Sequence, residues 1–312
     1  MSSPATTLRV GRDQFHLAWD RSIEPIATVP SGSVVEFDAL DSSGGQITAE
    51  STAADIANID FTRVDGVHGP VGVEGAEIGD TLEIELLEFV PADWGWTASI
   101  PGFGLLAEDF TEPALRISHL AGGTAEFLPG IRIPLAPFCG EVGVAPRDEG
   151  AFSTIPPTVH GGNMDTRHLT AGTRLFLPIG TPGGRLSMGD GHAAQGDGEV
   201  CGTAIETLMR ATVRLTVRKD LHVTGPEFLN PGPLAAGTNI GPFYATDGVG
   251  PDLREAAKDA TRRMIDYLGR EHGIGPADAY MLCSVACDLK VSEVVDEPNW
   301  IVTAYCPLSI FG

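Results

Sequence analysis

Apolar positions in this chain alternate with polar ones in short runs more often than they repeat at helical spacing. In Thr81-Leu-Glu-Ile-Glu-Leu86, Leu82, Ile84 and Leu86 alternate with Glu83 and Glu85. Period two with one acidic side predicts a half-buried strand, because successive side chains of extended chain point to opposite faces. Val213, Leu215 and Val217 oppose Arg214, Thr216 and Arg218 in the same way, within a stretch running from Cys201 to Lys219. Val34–Phe37 and Gln46–Thr48 are shorter strand candidates, set apart by Ser-Gly and Gly-Gly turn signals. The turn Gly75–Asp80 before the first strand is echoed by Ala171-Gly-Thr before Arg174–Ile179, either as a duplicated hairpin or as a coincidence of turn and strand.

Helical spacing is strong in one place. Leu253, Ala256, Ala257, Ala260, Met264, Tyr267 and Leu268 recur at i, i+3, i+4 and i+7, which predicts a helix from Pro251 to His272. Pro251 or Asp252 can start it and Gly273 can stop it. Pro276 suits the first turn of a second helix ending near Ala286, and Leu289–Val295 and Trp300–Tyr305 read as strands. Residues 91–160 are rich in proline and carry Trp94, Trp96, Phe103 and Phe110, so long loops packed on themselves and roofing a site are expected there. The chain reads as mainly β over residues 1–220, with an α+β extension over 221–312 packed on it.

Composition narrows the partners. Glycine (39) and proline (23) together make about a fifth of the 312 residues, which fits many turns between short strands. The formal net charge is −22, and the lysines are Lys219, Lys258 and Lys290 alone. A nucleic-acid or anionic-membrane partner needs a cationic face, so neither is expected, and a neutral or cationic ligand is favoured. Five cysteines without a Cys-x-x-Cys pair argue against a disulfide framework or a cysteine zinc site, and Cys139 and Cys201 are expected to be buried, inert thiols. The opening residues carry no apolar leader and no run of about 18 apolar residues occurs, so a cytoplasmic protein is expected.

The candidate chemistry lies in Gly189-Asp-Gly-His-Ala-Ala-Gln-Gly-Asp-Gly-Glu199. Asp190 and His192 are two apart and project to one side of extended chain, as do Asp197 and Glu199. The glycines let the backbone approach a ligand closely. A carboxylate beside an imidazole suits a divalent metal such as zinc, and a further carboxylate can serve as general base. The same letters also describe a solvated acidic turn. A second glycine-flanked cluster, His160-Gly-Gly-Asn-Met-Asp165, lies upstream, and the two can converge at one end of a sheet across Arg174–Ile179. His68 is either a site-lining residue or a turn histidine, and His16, His119, His168, His222 and His272 form no pattern. No Gly-x-Ser-x-Gly elbow and no phosphate loop is present, and the lysines lie outside any Gly/Ser-rich nucleophile stretch.

At these residues the chain resembles the acetamidase/formamidase family. The matching text runs through Gly69-Pro70, Val73-Glu-Gly-Ala76, Gly79-Asp80, Gly143-Val-Ala-Pro146, Gly161-Gly-Asn-Met-Asp165, Gly189-Asp-Gly-His192 and Gln195-Gly-Asp-Gly-Glu199. It continues with Gly202-Thr-Ala-Ile-Glu206, Tyr280, Ser284-Val285, Asp288, Val294-Val-Asp296 and Pro298-Asn299, in order over nearly the whole chain. The resemblance implies a jelly-roll-type β-sandwich with α+β elaboration in the C-terminal third. It also implies metal dependence in at least some members, and hydrolysis of short aliphatic amides such as formamide and acetamide to ammonia and carboxylate. Arg167 stands where lysine is expected in many relatives. Arginine keeps the charge but cannot act as a proton-transfer base, so it either anchors a carboxylate or alters activity.

The expected assignment follows. Asp165, Asp190 and His192 bind a divalent metal, zinc before calcium. Glu199 is the general base and Asn163 the oxyanion donor, while His68, His160, Arg167, Gln195, Asp197 and Glu206 line the site. The expected partners are a small neutral amide and further copies of the chain, with no nucleic acid and no membrane. The competing reading is a non-catalytic metal- or small-molecule-binding jelly roll.

Overall fold

Four sheets and two long helices account for most of the chain. The computed structural model describes residues 8–232, 241–295 and 297–312. Asp296, part of the family-like text, lies outside the described residues. Among the described residues no helix is long and apolar enough to cross a membrane.

The first sheet runs, edge to edge, Leu8–Val10, Ser33–Ala39, Met209–Arg218, Thr81–Pro91, Arg174–Pro178 and Glu227–Leu229. The alternation read in the sequence sets its two faces. Leu82, Ile84 and Leu86 are fully buried, and on the other face Glu83 and Glu85 pair with Arg218 and Arg214 of the neighbouring strand. The two echoing turn–strand segments are neighbours in this sheet, with Leu175 opposite Ile84. The second sheet runs Gly161–Asn163, Phe138–Val144, Leu186–His192, Val67–Val73 and Phe15–His16, with Ala27–Val29 parallel to Val67–Val73. Val35, Phe37, Leu82, Ile84 and Leu215 of the first sheet share one core with Val71, Val142, Leu186 and Met188 of the second, so the two sheets are packed layers of a mainly β molecule.

The third sheet corrects the expectation for residues 91–160. Much of this region is strand, Trp94–Ser99, Ala114–Ala121, Thr124–Leu128 and Ile131–Pro134 of one sheet and then Phe138–Val144 of the second, while the expected loops are confined to 100–113 and 145–160, which bring Ile100, Phe103 and Ile155 to one cavity. Trp96, Ala98 and Ile100 form a small core with Ile47 and with Ile56 of the short helix α1 (Ala53–Ile56). The prolines and glycines mark the ends of short antiparallel strands, not one continuous loop. Gln46–Thr48 forms no strand. Gln46 is held by side-chain bonds, donating from Nε2 to the Ser43 and Asp60 carbonyls and accepting from Asp60 N. In the alternating stretch that begins at Cys201, regular strand starts at Met209, because residues 201–206 turn back toward Trp96 and His192.

The helices follow the sequence closely. In α2 (Leu253–His272), the Asp252 carboxylate accepts from Arg254 N and Glu255 N, and Gly273 closes the helix in the left-handed region at φ 67°. Ala260, Met264 and Leu268 are buried together with residues of α3 (Pro276–Ala286). The fourth sheet, Phe243–Gly250, Trp300–Pro307 and Asp288–Glu293, packs against α2. The same core includes Ala193, Ala194, Val200, Cys201 and Ile205, so the C-terminal elements press on the loop that carries Glu199. All five cysteines are buried and free.

Candidate active site

The site is built where the buried strand Leu186–His192 meets the strand Phe138–Val144 and the loop that follows Asn163. His192 stands opposite Phe138, whose ring meets the imidazole edge-on, and Cys139 is opposite Gly191. Between them lies Gly140. A Cβ there would fall 2.3 Å from Asp190 Oδ2, 2.4 Å from Asp165 Oδ1 and 2.8 Å from His192 Cε1, so the space over Gly140 is where these side chains meet. The glycine is required by this close approach.

Three carboxylates converge on His192 Nε2. Asp190 Oδ2 is 2.9 Å away, Glu206 Oε1 3.3 Å and Glu199 Oε1 3.9 Å. Two triads offer ligand atoms within 4.8 Å of one another, Asp190/His192/Glu206 and Asp165/His192/Glu199. Gln195 orients the ring. Its Nε2 donates to the Asp165 carbonyl at 2.7 Å, so its Oε1 faces His192 Nδ1 at 2.9 Å and accepts from it. The Nδ1 proton is thereby fixed, and Nε2 is turned to the carboxylates. Glu206 is held in turn by Ser42 Oγ and Ala204 N, which donate to its two oxygens.

Backbone strain concentrates at these acids. Among the described residues five non-glycine positions have positive φ, and four of them are Asp65 (52°), Asp165 (44°), Asp190 (54°) and Glu199 (42°). L-residues adopt this region rarely, and such strain marks functional sites. Charge is concentrated as well. Burial raises Asp65 to about 8, with Asp190, Glu206 and Asp165 adding repulsion, and raises Asp190 to about 7 and Asp165 to about 6. Burial also holds Glu199 and Glu141 well above the usual carboxylate range. For His192 burial acts downward, but the Asp190 and Glu206 carboxylates outweigh it and raise the ring well above its ordinary value. A set of acids this dense must share protons or a cation.

The expected residues divide. Asp165, Asp190, His192, Glu199, Gln195 and Glu206 come together. His160 does not join them: its Nδ1 meets Thr158 Oγ1 at 2.7 Å, and it lines a separate cavity with Pro146, Phe152 and Ile179. His68 is fully buried and accepts from Leu40 N. Asn163 donates its amide nitrogen to the Ile155 carbonyl at 3.1 Å. Arg167 pairs with the buried Asp288, which also accepts from Asp197 N, so Asp197 belongs to this ion-pair group and not to the His192 cluster. The anchoring alternative for Arg167 is the one its geometry fits.

Asp65, Glu141 and Gly140 were not singled out in the sequence. Asp65 sits in Val64-Asp-Gly66, which looks like any turn. Glu141 had a signal, since it is the one charged residue in the otherwise apolar and glycine run Phe138–Val144. Asp65 also lines a cavity of about 110 Å³, together with Ser42, Trp96, Ile100, Phe103 and Ile155. Through Asp65 and Ser42 this small, mostly apolar cavity reaches the acid cluster.

The chain was compared with known proteins. The Acetamidase/Formamidase family matches residues 5–150 and 148–312. The formamidase of Methylophilus methylotrophus is 28% identical, over 96% of this chain and 89% of that protein. The γ-lactamase from Delftia acidovorans superposes with a TM-score of 0.88 at 26% identity, covering 96% of this chain and 89% of that one. The acetamidase from Bacillus halodurans superposes at 0.69 with 32% identity, covering 96% and 97%.

Proposed function

The chain belongs to the acetamidase/formamidase family and is an amidohydrolase, and from that premise we propose that it hydrolyses short aliphatic amides, formamide and acetamide foremost, with a divalent metal held at His192. The observation that carries the reading is the cluster itself. Asp165 Oδ1, Asp190 Oδ1 and His192 Nε2 are buried without hydrogen-bond partners, and Asp165 Oδ1 and Asp190 Oδ2 close on the space that a Cβ at Gly140 would fill. One imidazole nitrogen with carboxylate oxygens is a donor set that suits zinc. Asp190 and His192 would hold the ion with Glu206, and Asp165 would approach it from the neighbouring Asp165/His192/Glu199 triad. When bound, such a cation supplies Lewis acidity, polarising an amide carbonyl and making water a stronger acid.

The chain's own residues supply the rest. Glu199 lies at the edge of the cluster with its side chain 15% exposed, so it can meet both water and substrate. Glu199 Oε1 takes a proton from the attacking water and returns one to the amide nitrogen, because ammonia leaves poorly unless protonated. Water and amide thus become carboxylate and ammonium. Gln195 keeps the His192 ring oriented through the cycle. Trp96, Ile100, Phe103 and Ile155 exclude bulk water from the cavity and limit the acyl group to a few heavy atoms. In the competing reading, a jelly roll that binds without catalysing, Glu199 is only a further ligand in the Asp165/His192/Glu199 triad.

An ammonia-release panel tests the proposal, with formamide, acetamide, propionamide and a blocked dipeptide amide. The expected order puts formamide and acetamide first and the dipeptide amide last. Faster turnover of the dipeptide amide than of every small amide would refute the substrate class, and no turnover of any amide would favour the binding reading.

A further inference from the structure

We propose that Ser284 and Tyr280, buried on α3, are positioning residues for Glu199: their hydroxyls fix the loop that carries it, and with it the place of Glu199 beside His192. The inference rests on the reading of Glu199 as general base. Both residues belong to the family-like text, and the chemistry above makes no use of either. Both are fully buried. They stand four residues apart on one face of a helix whose other buried positions are Ala279, Met281, Leu282, Cys283 and Val285. An apolar residue would fill either place without a hydroxyl to satisfy, so the hydroxyls need a reason.

The reason lies in the loop from Gly196 to Thr203. The chain turns there through positive φ at Gly198 (97°), Glu199 (42°) and Gly202 (87°), so its peptides do not join a strand ladder. Val200, Cys201 and Thr203 are buried nonetheless, and their backbone groups require partners. The α3 helix supplies them. Ser284 Oγ accepts from Cys201 N at 3.2 Å and donates to the Thr203 carbonyl at 2.7 Å. The Tyr280 hydroxyl donates to the Val200 carbonyl and accepts from Leu106 N at 2.8 Å. Gly196 N donates to the Ser284 carbonyl at 2.7 Å, and the two backbones come so close that a Cβ at Gly196 would lie 1.9 Å from the Cys287 carbonyl oxygen.

The backbone bonds of Glu199 itself run inside the loop, from its N to the Gly196 carbonyl at 3.3 Å and from Gly202 N to its carbonyl at 2.8 Å. Its left-handed φ persists because the residues on both sides are held. Ser284 is the stronger anchor: without its hydroxyl Cys201 N loses its acceptor and the Thr203 carbonyl its close donor. Without the Tyr280 hydroxyl the Val200 carbonyl keeps the bond from Leu105 N at 2.8 Å, and Leu106 N is left alone. Tyr280 also ties the Glu199 loop to the segment carrying Phe103, a wall of the cavity that reaches the acid cluster. A base loosened in this way still meets zinc and amide, but is aligned with the attacking water for less of the time.

A double-mutant cycle with Glu199→Gln tests this, with formamide as substrate and bound zinc measured by plasma mass spectrometry. Ser284→Ala is expected to keep its zinc and to lose roughly 10–100-fold in kcat, with KM changed by less than about threefold. In the Glu199→Gln background the same substitution is expected to cost less than about twofold, because no base is left to misplace. Tyr280→Phe goes through the same cycle with a smaller expected loss, and it keeps the test open should Ser284→Ala fold poorly. A merely structural role lowers Tm and costs the same factor in both backgrounds, and that result overturns the proposal. So does an unchanged kcat in both single variants, or zinc lost with the hydroxyl. If Glu199→Gln alone retains kcat, the reading of Glu199 as base is what fails, and the proposal falls with it. If Glu199→Gln is impaired and the cycle shows no coupling, the base stands and the positioning role alone is overturned.

Discussion

Gln195 and His192 form a fixed pair: the amide oxygen accepts from the imidazole Nδ1 at 2.9 Å because the amide nitrogen is committed to the Asp165 carbonyl at 2.7 Å. One side chain thereby sets the tautomer of the ring and ties the loop bearing Asp165 to the strand bearing His192. Gln195→Leu should remove both bonds while keeping the bulk. Partners of this kind typically contribute about 10–100-fold in metal affinity, so zinc affinity should fall in that range. An unchanged affinity would mean that the pair is incidental.

Glu199→Gln separates base from ligand. Gln is nearly isosteric but cannot accept the proton of water. With full metal occupancy kcat should fall about 10²–10⁴-fold, the usual contribution of a general acid–base group. Loss of the metal in this variant would show that Glu199 is a ligand, consistent with its place in the Asp165/His192/Glu199 triad. Retention of more than about a third of kcat would rule it out as the base.

Arg167 and Asp288 join the loop of Asp165 to the start of the strand Asp288–Glu293, and Asp288 is only 1% exposed. An anchor needs charge and reach, whereas a proton-transfer base needs a titratable amine. Arg167→Lys should therefore keep more than about half of kcat with an unshifted pH profile. Asp288→Asn should lower stability by about 3–5 kcal/mol by leaving a half-buried guanidinium unpaired. A new basic limb in the profile of Arg167→Lys would show that position 167 takes part in proton transfer.

Acid should destabilise the fold through His68. Burial lowers it from 6.5 to about 4, so the folded protein holds it neutral while the unfolded chain protonates first. The unfolded state then binds more protons, and the associated stability is complete above pH 6.5 and lost as pH falls toward 4, roughly 3 kcal/mol at most. His68→Gln preserves an acceptor for Leu40 N and removes the titration. Its Tm should fall less than that of the wild type between pH 7 and 4, and identical acid limbs would contradict this.

Local patterns were legible where one residue type had one task. The alternation of Leu82, Ile84 and Leu86 with Glu83 and Glu85 gave the strand and its faces, and Asp252 and Gly273 gave the ends of α2. The hairpins between residues 94 and 134 were not legible, because their apolar positions are interrupted by prolines and glycines that serve equally as loop signals. The Asp190–His192 pairing could be read from a spacing of two. The arrival of Asp65 and Glu141 could not, since it is long-range strand pairing that sets Glu141 opposite Gly189 and Val67, two residues after Asp65, on its other side. His160 shows the converse, a residue close in sequence to Asp165 that the register at Gly161–Asn163 carries into another cavity.

The central claim, metal-assisted amide hydrolysis at His192, is tested most directly by titrating metal-stripped protein with zinc while following ammonia release from formamide. Turnover should rise in proportion to bound zinc and level off once the His192 position is full. His192→Asn should neither take up that equivalent nor recover activity. Full formamide turnover by protein shown to be free of metal, or by His192→Asn, would contradict the account.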